Sequence, residues 1–375
     1  MTGRKENREE KLFTVAEIAA AVDGRFSGDG GYVIGRLAHP ADARGEIDLA
    51  LAMDKSLLPL LAESGARAAV VSEGTETGDL KLDACIFVKR PRLAMAKLTN
   101  LFARKEKIAA GIHPSAVIEE GAEIGENCAI GAMAYICAGA SIGCGSVLHP
   151  QVYIGPGADI GEGALIHSGA RIGARVKIGA RCIIHFNASI GADGFSFVTP
   201  QTGSVESAKA TGSVGSVNDE LVRIASLGTV EIGDDVEIGA NTSIDRGTVA
   251  STRIGSGTKI DNQVQIGHNV VIGENCMICG RAGIAGSAVI GDRVVLGGAV
   301  GVADHVRIGD DAVIMAMSGV AGNVPAKAVM GGLPAKPRQR VMEEQLLIGR
   351  LKNLVKKVEM LAGRVDGLER KTGAG

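Results

Sequence analysis

Residues 112–190 read IHPSAV IEEGAE IGENCA IGAMAY ICAGAS IGCGSV LHPQVY IGPGAD IGEGAL IHSGAR IGARVK IGARCI IHFNAS I, with an aliphatic residue at every sixth position. The series runs through fourteen such positions, from Ile112 to Ile190, and Leu148 is its one departure from isoleucine. A period of six is neither the 3.6 of a helix nor the two of an ordinary strand. Three hexads make an eighteen-residue triangular coil, in which each aliphatic residue stacks on its counterparts in the coils above and below at the strand spacing of ~4.8 Å. The fifth position is small, as at Ala116, Ala140 and Ala158, and glycine often follows the aliphatic residue, which suits a bend. The expected fold class is mainly β: a parallel β-helix of hexapeptide repeats.

The period breaks after Ile190 with FSFVTPQTGSVESAKATGSVGSVND, so residues 196–223 are expected to leave the coil as a loop. It resumes at Ile232, Ile238 and Ile244, slips by four residues around Ala250–Arg253, and runs from Ile254 to Val320. Interruptions in a solenoid tend to lie on its functional face.

The other segments divide the chain. Residues 1–10 read as a disordered tail, and 11–108 as a small α/β domain with helical spacing at Phe13–Val22 and Pro91–Phe102 and short strands at Ala68–Val71 and Cys85–Val88. The β-helix takes 109–333. In 334–375, Leu347, Leu351, Leu354, Val358, Leu361, Val365 and Leu368 form a heptad stripe on a helical extension. From Lys336 to Lys371 there are ten Lys or Arg against five Asp or Glu, so this extension is open to an acidic partner or to solvent alone.

Aromatic residues are only 3% of the chain, with no tryptophan, and 54 glycines point to a repeat rather than a doubly wound sheet. A net charge of -2 argues against nucleic acid as partner. The charged start lacks an apolar signal core and no run of eighteen apolar residues occurs, so a cytoplasmic protein with no transmembrane segment is expected. Cys128, Cys182 and Cys276 sit at fifth positions and read as small core residues, and the Cys276/Cys279 pair has no second pair to complete a metal site.

The histidines carry the candidate chemistry. His39 and His113 precede prolines and read as structural. His149, His167 and His185 recur every eighteen residues and should stack as a ladder, which either holds zinc or is a polar column. His268 lies in DNQVQIGHN, where Asp261, Asn262, Gln263, Gln265 and Asn269 crowd polar groups on a solenoid wall. Eighteen residues on stands Gly286, a bare backbone amide, and eighteen further Asp304, with His305 beside it. Two coil steps put His305 roughly 10 Å from His268, room for a substrate. The coil below brings Asp245 and Arg246 near His268, and Asp245 could orient the imidazole.

Taken together, FTVAEIAAAVDGRFSGDG, IHPSAVIEEGAEIG, IGADGFSF, IGANTSIDRGT and IDNQVQIGHNVVIG resemble the UDP-3-O-acylglucosamine N-acyltransferase family of lipid A biosynthesis, over nearly the whole chain. The resemblance implies a left-handed β-helix, a homotrimer with sites between subunits, a UDP-sugar acceptor, and acyl carrier protein as donor with no separate cofactor. It implies His268 as general base, His305 as second active-site histidine, Gly286 as oxyanion amide, and Asp261, Asn262 and Gln265 around the glucosamine. It also implies uridine stacked on aromatic side chains of the first domain, yet residues 47–56 contain none, and Leu49 stands where phenylalanine is expected. Met315, Met317 and Gly319 are candidates for an acyl-chain groove. The alternatives are another nucleotide-sugar N-acyltransferase or N-acetyltransferase, or a zinc-dependent hexapeptide-repeat protein of the γ-carbonic anhydrase kind using the histidine ladder, a reading in which the site would be metal rather than none.

Overall fold

In the computed structural model, residues 11–103, 108–332 and 337–372 are described, the side chains only as far as residue 365. The tail expected at 1–10 and Pro334 lie outside the described residues, as does the side chain of Leu368. The chain divides into two compact units, residues 1–107 and 108–375.

The second unit is a left-handed parallel β-helix. Two-residue strands, each ending on the aliphatic position, pair with strands one coil away, as Val147–Leu148 does with Leu165–Ile166. Among the described residues they build three faces: face one has eleven strands from Gly111–Ile112, face two has ten from Val117–Ile118, and face three has nine from Glu123–Ile124. Nearly all the period isoleucines from Ile130 to Ile314 are buried in one continuous core with the small fifth-position residues. That column replaces the aromatics the chain lacks, each buried isoleucine contributing about 2 kcal/mol.

The glycines that follow the isoleucines do not supply the bend. A Cβ on Gly161 would lie 2.5 Å from the Gly179 carbonyl carbon, so close approach between coils, and not backbone conformation, requires glycine there. The left-handed turn falls two residues later, at the fourth position, where Asn127, Gln151, Asn187, Asn269, His305 and Met317 have φ between 54° and 64°. Those strained turns persist because the core and the ladder on either side fix them.

Both interruptions are ordered. The stretch expected as a loop contains a strand pair, Phe197–Val198 with Val222–Arg223, and a helix, Ser204–Thr211, ended by Gly212 in the left-handed region. A bulge between Ile190 and Ala192 marks its departure. After it the coils regain register, Ile190 pairing with Ile244 and Ile232 with Ile254.

The first unit carries a five-stranded sheet in the order Arg25–Gly28, Ala84–Val88, Ala68–Ser72, Asp48–Ala52, Arg36–Ala38, parallel but for its first pair. Helices Val15–Ala21 and Pro91–Phe102 cover one side and Leu58–Glu63 the other. The first starts at a capping box in which Thr14 and Glu17 satisfy each other's backbone N–H groups. Sequence patterning missed three of the five strands, Arg25–Gly28, Arg36–Ala38 and Asp48–Ala52, the last because its short aliphatic run is buried on both sides and has no alternation. Arg338–Thr372 forms one helix, with Leu347, Leu351, Leu354, Val358, Leu361 and Val365 all exposed.

Candidate active site

His268 stands at the corner between faces two and three, and glycines touch both sides of its ring. A Cβ on Gly286, one coil above, would lie 2.7 Å from His268 Cε1 and 2.8 Å from Nε2; one on Gly194 would lie 2.7 Å from His268 Cβ and 2.9 Å from Cδ2. The spacing of eighteen therefore does bring His268 onto Gly286. Gly194 comes from IGADGFSF, at the root of the first interruption.

The second interruption reaches the same ring through Asn269. His268 Nδ1 is 3.1 Å from Asn269 Oδ1. The Asn269 amide donates to the Ala250 carbonyl at 3.0 Å, and the Thr248 N–H donates to Asn269 Oδ1 at 3.0 Å. With its NH2 committed to Ala250, the carboxamide turns its oxygen to the imidazole, so Nδ1 carries the proton and Nε2 keeps its lone pair. Cε1 and Nε2 are the ring atoms nearest Gly286, 2.7 and 2.8 Å from where its Cβ would stand. The four extra residues thus fix the histidine tautomer.

Asp245, 9% exposed, accepts from Gln265 Nε2 at 3.2 Å, so its hydrogen bond goes to Gln265 while Asn269 holds His268 Nδ1. Burial pushes the Asp245 carboxyl above its usual value, with the Gln265 bond and the His268 imidazole pulling the other way. Arg246 turns from the site and donates to the carbonyls of Gly191 and Ala174, anchoring the bulge.

Above the ring, Ser287 N–H donates to the His268 carbonyl and His305 N–H to that of Gly286. The Gly286 N–H itself has no acceptor among the described residues. His305 is exposed in the left-handed region two coils from His268, and Asp304 lies 4.0 Å from Lys209 on the helix of the first interruption.

The remaining candidates are elsewhere. Asp261 and Asn262 occupy the corner between faces one and two, above His185 and Gly239 in the same column. Asp261 accepts from Asn262 N–H at 2.7 Å and Gly280 N–H at 2.9 Å, while Asn262 Oδ1 accepts from Ala240 N–H at 2.6 Å. Met315 and Met317, each 58% exposed, lie further up this corner, and Gly319 stands on face two with open space where a Cβ would project. The strands align Gly319 with Gly301, Gly283 and Gln265, so a side-chain-free column rises above Gln265. Counting down in eighteens from Gly319 would have found it.

Leu49 is corrected. It is fully buried in the core of the first unit, packed with Val15, Ile18 and Val70, and offers no surface to a substrate. Its strand neighbour Asp48 accepts from Arg36 Nε at 2.7 Å and from the N–H groups of Arg44 and Gly45, and the Arg36 guanidinium holds its carboxyl down at about 2.

The histidine ladder forms as expected. Ring centroids are 4.8 Å apart for His149 and His167 and 5.1 Å for His167 and His185, the latter pair 8° from parallel. Stacked rings direct their nitrogens side by side rather than toward one point, and His185 Nε2 meets Glu237 at 2.8 Å. Among the described residues no group of three His, Cys, Asp or Glu is placed to hold a metal, and no helix is long and apolar enough to cross a membrane.

Residues 139–174, 158–192 and 251–286 match the bacterial transferase hexapeptide (six repeats) family, and 121–156 and 287–317 match the hexapeptide repeat of succinyl-transferase. The chain is 47% identical over 226 residues to a UDP-3-O-acylglucosamine N-acyltransferase of Ruegeria pomeroyi, covering 60% of this chain and 62% of that one. It is 46% identical over 276 residues to the protein of that name in Paracoccus denitrificans, covering 73% of this chain and 75% of that one. A solved UDP-N-acetylglucosamine acyltransferase from Arabidopsis is similar at 25% identity with a TM-score of 0.50, covering 59% of this chain and 71% of that one.

Proposed function

The chain belongs to the UDP-3-O-acylglucosamine N-acyltransferase family, and we propose that it moves a (3-hydroxy)acyl chain from acyl carrier protein to the 2-amino group of UDP-3-O-acylglucosamine, in the cytoplasm. The observation that carries the chemistry is the tautomer set at His268. With Nδ1–H held by Asn269, Nε2 is free to take the proton of the attacking amine as its nitrogen bonds the thioester carbon. Gly286, whose Cβ position is 2.8 Å from Nε2 and whose N–H has no acceptor among the described residues, suits the oxyanion that forms. Collapse breaks the C–S bond, and the proton passes from His268 to the departing thiolate. No acyl-enzyme and no cofactor is required.

Asp261 and Asn262, proposed sugar contacts with Gln265, stand at a different corner from His268, so a site using all of them draws on neighbouring copies. This supports a homotrimer. Met315, Met317 and the glycine column offer an apolar, unobstructed path for the acyl chain, with Asp245 holding Gln265 at its foot. In this reading His305, two coils above His268, meets the far side of the substrate.

Acyl transfer from a panel of acyl carrier protein thioesters and acetyl-CoA to UDP-3-O-acylglucosamine tests the reading. It expects product only with the carrier protein donors. Product from acetyl-CoA alone favours an N-acetyltransferase, and no product with any donor contradicts it.

A further inference from the structure

The return limb of the first interruption meets both supports of His268. Phe197–Val198 pairs antiparallel with Val222–Arg223, Phe197 opposite Arg223. The Arg223 guanidinium lies 4.6 Å from the centre of the Phe197 ring and reaches the Gly194 carbonyl at 3.5 Å. The Ile224 N–H donates to the Ser196 carbonyl at 3.0 Å, which carries the pairing past the end of the strands. Followed inward, that register brings Ser226 opposite Gly194. There the Ser226 hydroxyl accepts from the Gly194 N–H at 3.2 Å, and Gly194 is the residue that flanks one side of the His268 ring.

The next two residues reach the second interruption. Leu227 N–H donates to the Thr248 carbonyl at 2.7 Å, and Gly228 N–H to that of Gly247 at 3.0 Å. Thr248 in turn donates its own N–H to Asn269 Oδ1, the atom beside His268 Nδ1. A Cβ on Gly228 would lie 2.5 Å from the Ala250 carbonyl oxygen and 2.7 Å from that of Gly247, so any larger residue forces the two interruptions apart. Residues 226–228 therefore tie the interruptions together, and act on the imidazole through Gly194 on one side and through Asn269 on the other.

We infer that Ser226 and Gly228 are positioning residues for the general base. Ser226 sets the Gly194 backbone against which the ring rests, and Gly228 sets Thr248 and, through it, the Asn269 carboxamide that selects the Nδ1–H tautomer. This deepens the acyltransferase reading and rests on it for the role of His268. Gly194 is buried, so without the Ser226 hydroxyl its N–H is left unpaired and the peptide must turn to find an acceptor. A shift on the order of 1 Å at a reacting group can cost about 10²-fold in rate.

The test follows the ring nitrogens of His268 by nuclear magnetic resonance in the full chain carrying isotope-labelled histidine, beside steady-state acyl transfer, for the wild type, Ser226→Ala, Ser226→Thr and Gly228→Ala. Loss of one signal in His268→Ala identifies the ring. The wild type should show the Nδ1–H tautomer, and both Gly228→Ala and Ser226→Ala should shift the His268 signal. Gly228→Ala should bring in the Nε2–H form and lower kcat about tenfold or more. Ser226→Ala should lower kcat about fivefold with KM for the nucleotide sugar within about twofold, and Ser226→Thr, which keeps the hydroxyl, should return kcat to within about twofold of wild type. If Gly228→Ala does not fold, the two Ser226 variants decide. A His268 signal unchanged in the folded variants overturns the inference and leaves the acyltransferase reading standing. A wild-type chain that transfers from no donor overturns the acyltransferase reading, and the ring signal still decides the positioning.

Discussion

Two corners of one solenoid place histidines in opposite ways. On the corner between faces one and two, His149, His167 and His185 follow the period without interruption, and each ring spends its faces on its neighbours. On the corner between faces two and three, His268 has Gly286 and Gly194 where other side chains would be, and Asn269 holds one nitrogen. Regular repetition buries imidazole in imidazole. Breaking the repetition isolates one and leaves its second nitrogen available.

The contrast sets an order of effects. His268→Ala removes the base and should lower kcat by about 10²- to 10⁴-fold, whereas His167→Ala, in the same assay, should stay within about threefold of wild type. Comparable losses would erase the distinction between the corners. Gly286→Ala should lower kcat by roughly 10²-fold with the fold retained, because the new methyl must displace the imidazole it meets at 2.7 Å; circular dichroism and thermal melting check the fold. Asn269→Ala frees the ring to change tautomer and should cost about tenfold in kcat. For Asp245→Asn the expected loss is smaller, since Gln265 rather than His268 is its hydrogen-bond partner. A substitution outside both corners sets the floor: Asp48→Asn should leave kcat unchanged but destabilise the first unit by roughly 1 to 2 kcal/mol at neutral pH. Because the Asp48 carboxyl is held down at about 2 from an ordinary 3.8, its stabilisation is present above about pH 4 and fades as pH falls through 2. Hydrogen exchange across that range, wild type against Asp48→Asn, reads the difference.

The period made much of this legible. Counting in sixes identifies the faces and core, and counting in eighteens places Gly286 over His268, since both are rigid consequences of the coil. What counting misses depends on the interruptions. The helix Ser204–Thr211 lies in a stretch whose serine, glycine and threonine content reads as loop, yet a glutamate near its start and Gly212 at its end terminate it properly. Asn269 looked like one polar neighbour among several, because its role rests on where Ala250 and Thr248 fall after a four-residue slip that no period describes. Leu49 was misplaced for another reason: alignment to a family segment locates a position without showing which side of a sheet it faces, and here it faces the core.

The central claim is that the four-residue slip between Ile244 and Ile254 acts on catalysis through Asn269 and His268. A double-mutant cycle in steady-state acyl transfer tests it most directly. Asn269→Ala should lower kcat about tenfold in the wild-type background and by less than about twofold when His268 is already alanine. Equal losses in the two backgrounds would contradict it.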